Sequence, residues 1–209
     1  PWLAALEAAT PAIQNELMGV LGSSEGFAPY VTYKDGIPLD QWAALNHSLD
    51  WSAFHFFHHG QRYAENCARC PATLQALSLL PQPSVEGRMP AAMFSVLKPH
   101  THIPPHTGVA NVRLVMHLPL VVPPHCGFRV GNVTREWRVG EAFVFDDTIE
   151  HEAWNRTPHW RIVLFVDFLR PLPLVPRVLN KVMMAVIRAT PFVRVAARNQ
   201  ARWEASFYG

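Results

Sequence analysis

The run His100-Thr101-His102-Ile103-Pro104-Pro105-His106-Thr107-Gly108 sets three imidazoles within seven residues and stops at a glycine. Neutral imidazole is the commonest protein ligand for a transition metal, so the run points to a metal. Yet no Asp or Glu occurs between Lys98 and Arg135, and no histidine of the chain is followed two residues later by an acid. A non-haem Fe(II) site usually holds its ion with two histidines and one carboxylate. The acid's usual position, two beyond His106, is Gly108. Either the metal is of another kind, or water stands where the acid would be.

His151, in "FDDTIEHEAW", opens a later apolar run and is the second candidate ligand. Two imidazoles, a bidentate 2-oxo acid, water and O2 fill an octahedral ferrous ion. A carboxylate holding that water by a hydrogen bond would return part of the lost charge. Asp147 is the candidate and Asp146 the next, although a paired "DD" is also an ordinary turn at a strand end. A 2-oxo diacid needs a cation for its far carboxylate. Arg161 opens the apolar run "WRIVLFVDF", where an inward arginine is costly unless an anion meets it. An outward-facing edge arginine is the plainer alternative. Arg113 and His117 share one face of "VRLVMHLPL" and add polar groups beside the same place.

The elements that must position these residues follow from periodicity. From residue 93 on, "AMFSVLKP", "VRLVMHLPLVVP", "CGFRVGN", "REWRVGEAFVFDD", "HEAWN" and "WRIVLFVDFLRP" are short β-rich runs broken by Pro, Gly, Asn and Asp. They predict an antiparallel sandwich or barrel, such as a jelly roll. His106 is expected to end a loop before a strand. Upstream, Leu3, Leu6, Ile13, Leu17, Val20 and Leu21 predict two short helices split at Pro11. An extended piece over Tyr30 to Tyr33, a helical "LDQWAAL", a strand in "DWSAFHFFHHGQRY", helix over 64–81 and a proline-rich loop over 82–92 follow. After Pro173 the chain turns helical and basic. Its apolar face is what packing on the sheet requires, and that reading is preferred to a membrane-surface one.

The bulk numbers narrow the classes. With 209 residues, 49% hydrophobic and 16% charged, the chain can bury one sizeable core. The organisation read from it is a single domain over 1–209. Helical and extended support occupies 1–92, the β core 93–171, and a basic extension 172–209. A formal charge of +2 gives no electrostatic case for nucleic acid. Three cysteines, Cys67, Cys70 and Cys126, do not make a disulfide scaffold, and "CARC" without a second such pair reads as structural. Neither an apolar run long enough to span a bilayer nor a basic-then-apolar leader is found. The expected location is cytoplasmic, with membrane-peripheral contact through the basic tail as the variant.

"FSVLKPHTHIPPHTGVANVRLVMHLPLVVP", "GEAFVFDDTIEHEAWN" and "RIVLFVDFLRP" together resemble the aspartyl/asparaginyl β-hydroxylase family. The resemblance implies a double-stranded β-helix and an enzyme using Fe(II), 2-oxoglutarate and O2 to hydroxylate an unactivated carbon. It implies His106 and His151 as the iron ligands, with Gly108 matching the missing acid and Asp147 the outer acid. It implies Arg161 and Ser95 on the remote carboxylate of 2-oxoglutarate, and His117 beside its metal-bound end. It also implies a substrate that is an Asp or Asn side chain of a protein, or a lipid acyl chain. Val115 stands where the peptide-modifying members carry a second arginine, which argues against an acidic peptide. Two other chemistries fit the bare spacing. In one, a related halogenase, chloride takes the vacant position. In the other, a cupin-like metal-binding module without oxygenase activity, His100, His102, His106 and His151 all ligate.

Overall fold

A computed structural model of the chain describes residues 2–23, 25–34, 36, 38–58, 61–80, 91–108, 111–179 and 182. The described residues form eleven strands: β1 Phe27–Pro29, β2 Trp51–His58, β3 Gln61–Arg62, β4 Ala92–Leu97, β5 His102–His106, β6 Arg113–Val121, β7 Cys126–Val130, β8 Val133–Arg135, β9 Phe143–Phe145, β10 His151–Asn155 and β11 Arg161–Leu169. The larger sheet runs β1-β2-β4-β11-β6-β9, with β3 beside β2; the smaller runs β5-β10-β7-β8. From β4 to β11 the chain passes back and forth between the two sheets, and its first and last strands, β4 and β11, are neighbours. This winding is a double-stranded β-helix, the jelly-roll architecture that the short runs predict. Strands β1 to β3, from the supporting segment, widen the larger sheet rather than form a layer of their own.

Period-two alternation divides the larger sheet's faces. In β6, Leu114, Met116, Leu118 and Leu120 face one way; in β11, Ile162, Leu164, Val166 and Phe168 join them, with Phe94, Val96, Phe54 and Phe56 from β4 and β2. Four helices cover that face: α1 Trp2–Ala8, α2 Thr10–Ser23, α3 Ala64–Arg69 and α4 Pro71–Leu77. Leu6, Ile13, Leu17 and Val20 are the buried contribution of α1 and α2, and Cys67, Ala76 and Leu77 that of α3 and α4. Each such side chain taken fully out of water contributes roughly 1.5–3 kcal/mol. The break between α1 and α2 falls at Ala9, and Pro11 sits in the first turn of α2, where its missing N–H is not needed. Glu16 of α2 caps α4. Its carboxylate accepts from Ala72 N (2.6 Å), Thr73 N (2.8 Å) and Thr73 Oγ1 (2.7 Å).

The opposite face meets the smaller sheet across a second core of Trp51, Leu97, Ile103, Cys126, Phe128, Trp137, Ala153 and Val163. Cys67 and Cys70 lie in the helical core as free thiols, and burial pushes the Cys70 thiol up to about 12, so it stays protonated.

Three local expectations differ. The extended piece is β1, earlier than Tyr30; Val31 makes only an isolated bridge to Asn46. "LDQWAAL" yields a single 3₁₀ turn, Asp40–Trp42, because Asp40 takes a left-handed backbone (φ 43°) that an α-helix does not continue. Residues 174–179 are helical, but Leu174, Val175, Val178 and Leu179 are exposed, so this described part of the tail does not pack on the sheet. The rest of the tail apart from Val182, and most of the 82–92 loop, lie outside the described residues.

Candidate functional site

His106 is not in a loop: it is the last residue of β5, an edge strand. Pro104 and Pro105 lie inside β5, which an edge tolerates because one side of the strand has no partner to lose. On β10, Ala153 pairs with Ile103 while His151 pairs with His106, so two steps of β10 oppose three of β5. This bulge re-aims the chain. It lets Ile103 and His106, odd and even in the alternation, both line the space between the sheets.

The two histidines therefore meet directly, with ring centroids 4.1 Å apart. His106 Nδ1 donates to Pro104 O at 2.8 Å, and His151 Nδ1 donates to Ile149 O at 2.9 Å. A carbonyl only accepts, so both rings carry their proton on Nδ1 and leave Nε2 as the free donor nitrogen. Burial, with the second ring nearby, lowers His106 to about 4; burial also lowers His151. Both rings are neutral at pH 7, the state that a metal requires.

Asp147, 5% exposed, closes the acid's place. A Cβ added to Gly108 would stand 2.2 Å from Asp147 Oδ2 and 2.4 Å from its Cγ. Gly108 N also donates to Asp147 O at 2.6 Å. No side chain can grow from 108 toward the histidines while Asp147 is there. A chloride held at the same spot would face that carboxylate. Asp147 Oδ2 accepts from Arg113 Nη2 at 2.9 Å, whereas Oδ1 is buried with no hydrogen-bond partner. Arg113 Nη1 donates to Asp167 Oδ2 at 2.6 Å, and Asp167 Oδ1 accepts from Ala91 N at 2.5 Å. Arg113 thus lines the cavity with its guanidinium committed to two carboxylates. Asp167 is wholly buried, and burial raises its carboxyl against the pull of Arg113.

Arg161 faces inward and is 1% exposed, yet among the described residues no carboxylate pairs with it. Its Nε is buried without a partner, and its guanidinium carbon sits 4.8 Å from the Trp137 ring. Burial lowers it to about 10, which leaves it cationic at neutral pH. Ser95, on the adjacent strand, lines the same cavity, its Oγ accepting from Trp51 Nε1 at 3.2 Å. His117 is ringed by Phe128, Phe143, Phe145 and Phe165. Its Nδ1 has no partner, and burial together with the Arg161 charge holds it well below the usual imidazole value.

All seven predicted residues, Ser95, His106, Arg113, His117, Asp147, His151 and Arg161, line one cavity of about 480 Å³. Asp146 does not; it pairs with Arg170 outside. The four-histidine set is not assembled. His100 is exposed, and His102 pairs with Glu152 at 2.8 Å on the outer face. Among the described residues no group of three or more His, Cys, Asp and Glu side chains could hold a metal. The sequence reading missed Asp167, although it lies on the Arg161 side of β11 by simple alternation. It also missed Trp51, stacked on Tyr30 at 4.0 Å, and Trp137, whose charged neighbours carry no core signal.

The family described as aspartyl/asparaginyl beta-hydroxylase matches residues 7–171 of the chain. The ornithine lipid ester-linked acyl 2-hydroxylase of Rhizobium tropici is 36% identical over 211 residues, covering 100% of this chain and 71% of that protein. The aspartyl/asparaginyl beta-hydroxylase of Homo sapiens is 36% identical over 137 residues, covering 65% of this chain but only 18% of that protein. Among solved structures, KdgF from Halomonas sp. covers 59% of this chain and 83% of its own at a TM-score of 0.37 and 13% identity, a likeness too slight to bear on function. A match that runs from the first helix through the last core strand, joined to a relative covered over most of its length, means that the chain belongs to the aspartyl/asparaginyl β-hydroxylase family of enzymes.

Proposed function

We propose that the protein is an Fe(II)- and 2-oxoglutarate-dependent dioxygenase that hydroxylates an acyl chain of a lipid. The observation that carries the cofactor reading is Arg161. A buried cation with no protein anion costs several kcal/mol unless a ligand supplies the anion, and this one shares a cavity with a facing pair of neutral imidazoles. The donor set fits the metal. Each Nδ1 is tied to the backbone, each Nε2 is free, and Asp147 Oδ1 is a buried acceptor waiting for a proton donor.

His106 and His151 would hold Fe(II), whose chemistry there is to activate O2 while 2-oxoglutarate is oxidised to succinate and CO2, the second oxygen atom going to the substrate carbon. The protein does the rest by placement. Arg161 takes the far carboxylate of 2-oxoglutarate in a charge-assisted pair, and the Ser95 hydroxyl adds a donor beside it. Asp147, fixed by Arg113, accepts a hydrogen bond from water in the position that Gly108 leaves without a ligand. His117, neutral and walled by aromatic rings, would lie beside the metal-bound end of 2-oxoglutarate.

The substrate class rests on charge. The cations lining the cavity are Arg113, Arg161 and the exposed Lys34. On this reading Arg161 serves the co-substrate, and both Nη atoms of Arg113 are already occupied. Val115 adds an apolar wall where a second arginine would receive an acidic side chain. The Rhizobium relative is named for an acyl 2-hydroxylase, which agrees with an uncharged target.

Anaerobic addition of Fe(II) and 2-oxoglutarate should give a weak visible charge-transfer band. In Arg161→Ala the 2-oxoglutarate needed should rise by more than tenfold, since a hydrogen bond to a charged group is worth roughly 1.5–3 kcal/mol. Mass spectrometry should then find one oxygen added to an acyl lipid and none to an Asp-containing peptide. An unchanged requirement removes Arg161 from co-substrate binding; oxygen on the peptide instead of the lipid overturns the substrate class.

A further inference from the structure

The helical residues 174–179 carry an apolar stripe that no described residue covers. Leu174, Val178 and Val182 recur every four residues, as do Val175 and Leu179, so in helical register the five share one side. Their exposure runs from 49% at Val178 to 70% at Leu174. Exposed apolar side chains scattered singly are ordinary, but five on one side of a short segment are an interaction surface. Arg177 stands in the same turns, its guanidinium donating to Leu172 O from Nε (3.1 Å) and Nη2 (2.7 Å).

Charge indicates what the surface meets. From Pro173 onward six basic residues, Arg177, Lys181, Arg188, Arg194, Arg198 and Arg202, accompany one acid, Glu204. The whole chain is only +2, so the remainder is net acidic and the positive charge is concentrated in this segment. The root of the segment is fixed beside the site. Arg170 N donates to Val112 O at 3.0 Å, Arg170 Nε donates to Asn111 O at 2.9 Å, and its guanidinium pairs with Asp146. Asn111 and Val112 lead into Arg113, and Asp146 precedes Asp147, so the helix leaves the body next to that wall of the cavity.

We propose that the helical residues 174–179 dock the protein on an anionic lipid surface. The apolar stripe enters the boundary between headgroups and acyl chains, and the basic residues lie against the lipid phosphates. A lipid surface suits these residues better than a second copy of the chain, because it receives an apolar stripe and a concentration of positive charge together. The docking would bring the Asp147 wall of the cavity to the bilayer. In that respect the inference rests on the acyl-chain reading, but its test reads binding alone, so either can fail without the other.

The full chain is sedimented with phosphatidylcholine vesicles and with vesicles that also contain phosphatidylglycerol. Binding should be at least tenfold tighter to the anionic vesicles. It should fall when salt is raised from about 0.1 M to about 1 M, which shortens the Debye length from about 10 Å to about 3 Å. The double substitution Val175→Asp, Leu179→Asp should weaken binding at least tenfold while leaving the melting temperature and the anaerobic charge-transfer band unchanged. Absence of vesicle binding, equal binding by the double variant, or a concentration-dependent dimer that the double variant abolishes would each overturn the proposal.

Discussion

Gly108 and Asp147 share one place, and only one of them can fill it with a side chain. The Asp147 carboxylate comes within 2.2 Å of where a Cβ on 108 would be, and its Oδ2 is held by Arg113, so it has little room to retreat. Gly108→Ala should therefore cost about 1–3 kcal/mol by overpacking. Urea melts should show that cost, and should show most of it relieved when Asp147→Gly is added. Gly108→Asp should not create a third metal ligand. Titration with Fe(II) should find weaker uptake than in the parent, because the new acid meets an existing one. Asp167 matters at the same scale. Removing its charge from the buried Asp147–Arg113–Asp167 arrangement leaves Arg113 half satisfied, and Asp167→Ala should lose about 3–5 kcal/mol in the same melts.

Among the elements, β5 carries the most information for its length. Its two prolines read in the sequence as part of a loop that His106 ends, and the histidines around them as candidate ligands. In the fold they are an edge strand whose bulge turns His106 inward opposite His151. Deleting Pro105 should remove the extra step and send the final histidine to the outer face. The far-ultraviolet spectrum should then be retained while Fe(II) uptake is lost; retained uptake would show that the bulge does not aim His106. Strand β11 was easier to read. Its alternation puts Arg161, Phe165 and Asp167 on one side and Ile162, Leu164, Val166 and Phe168 on the other, and a period of two is local to the chain. "LDQWAAL" was misread because its apolar spacing suits a helix while its backbone is turned by Asp40.

For the whole molecule, the acidic body and the basic end meet at the Asp146–Arg170 pair. Burial pushes the Asp146 carboxyl up, but hydrogen bonds from Arg170 and Thr148 outweigh it and hold the group below its ordinary value. A depressed carboxyl stabilises the fold above its unfolded value, near 4, and that contribution is lost as pH falls through the lower folded value. The stability difference between the parent and Asp146→Asn should accordingly be full at neutral pH and shrink below about pH 4, as measured by urea melts across that range. Composition, the β-rich runs and the family resemblance pointed to a jelly roll and named the residues that line its cavity, because alternation and motif are written along the chain. Facing of the two histidines, burial of Arg161 without an acid among the described residues, capture of Arg113 by Asp147 and Asp167, and exposure of the helical residues 174–179 were decided only in three dimensions. Each depends on strand register or on contacts between segments far apart in sequence, and no local pattern encodes those.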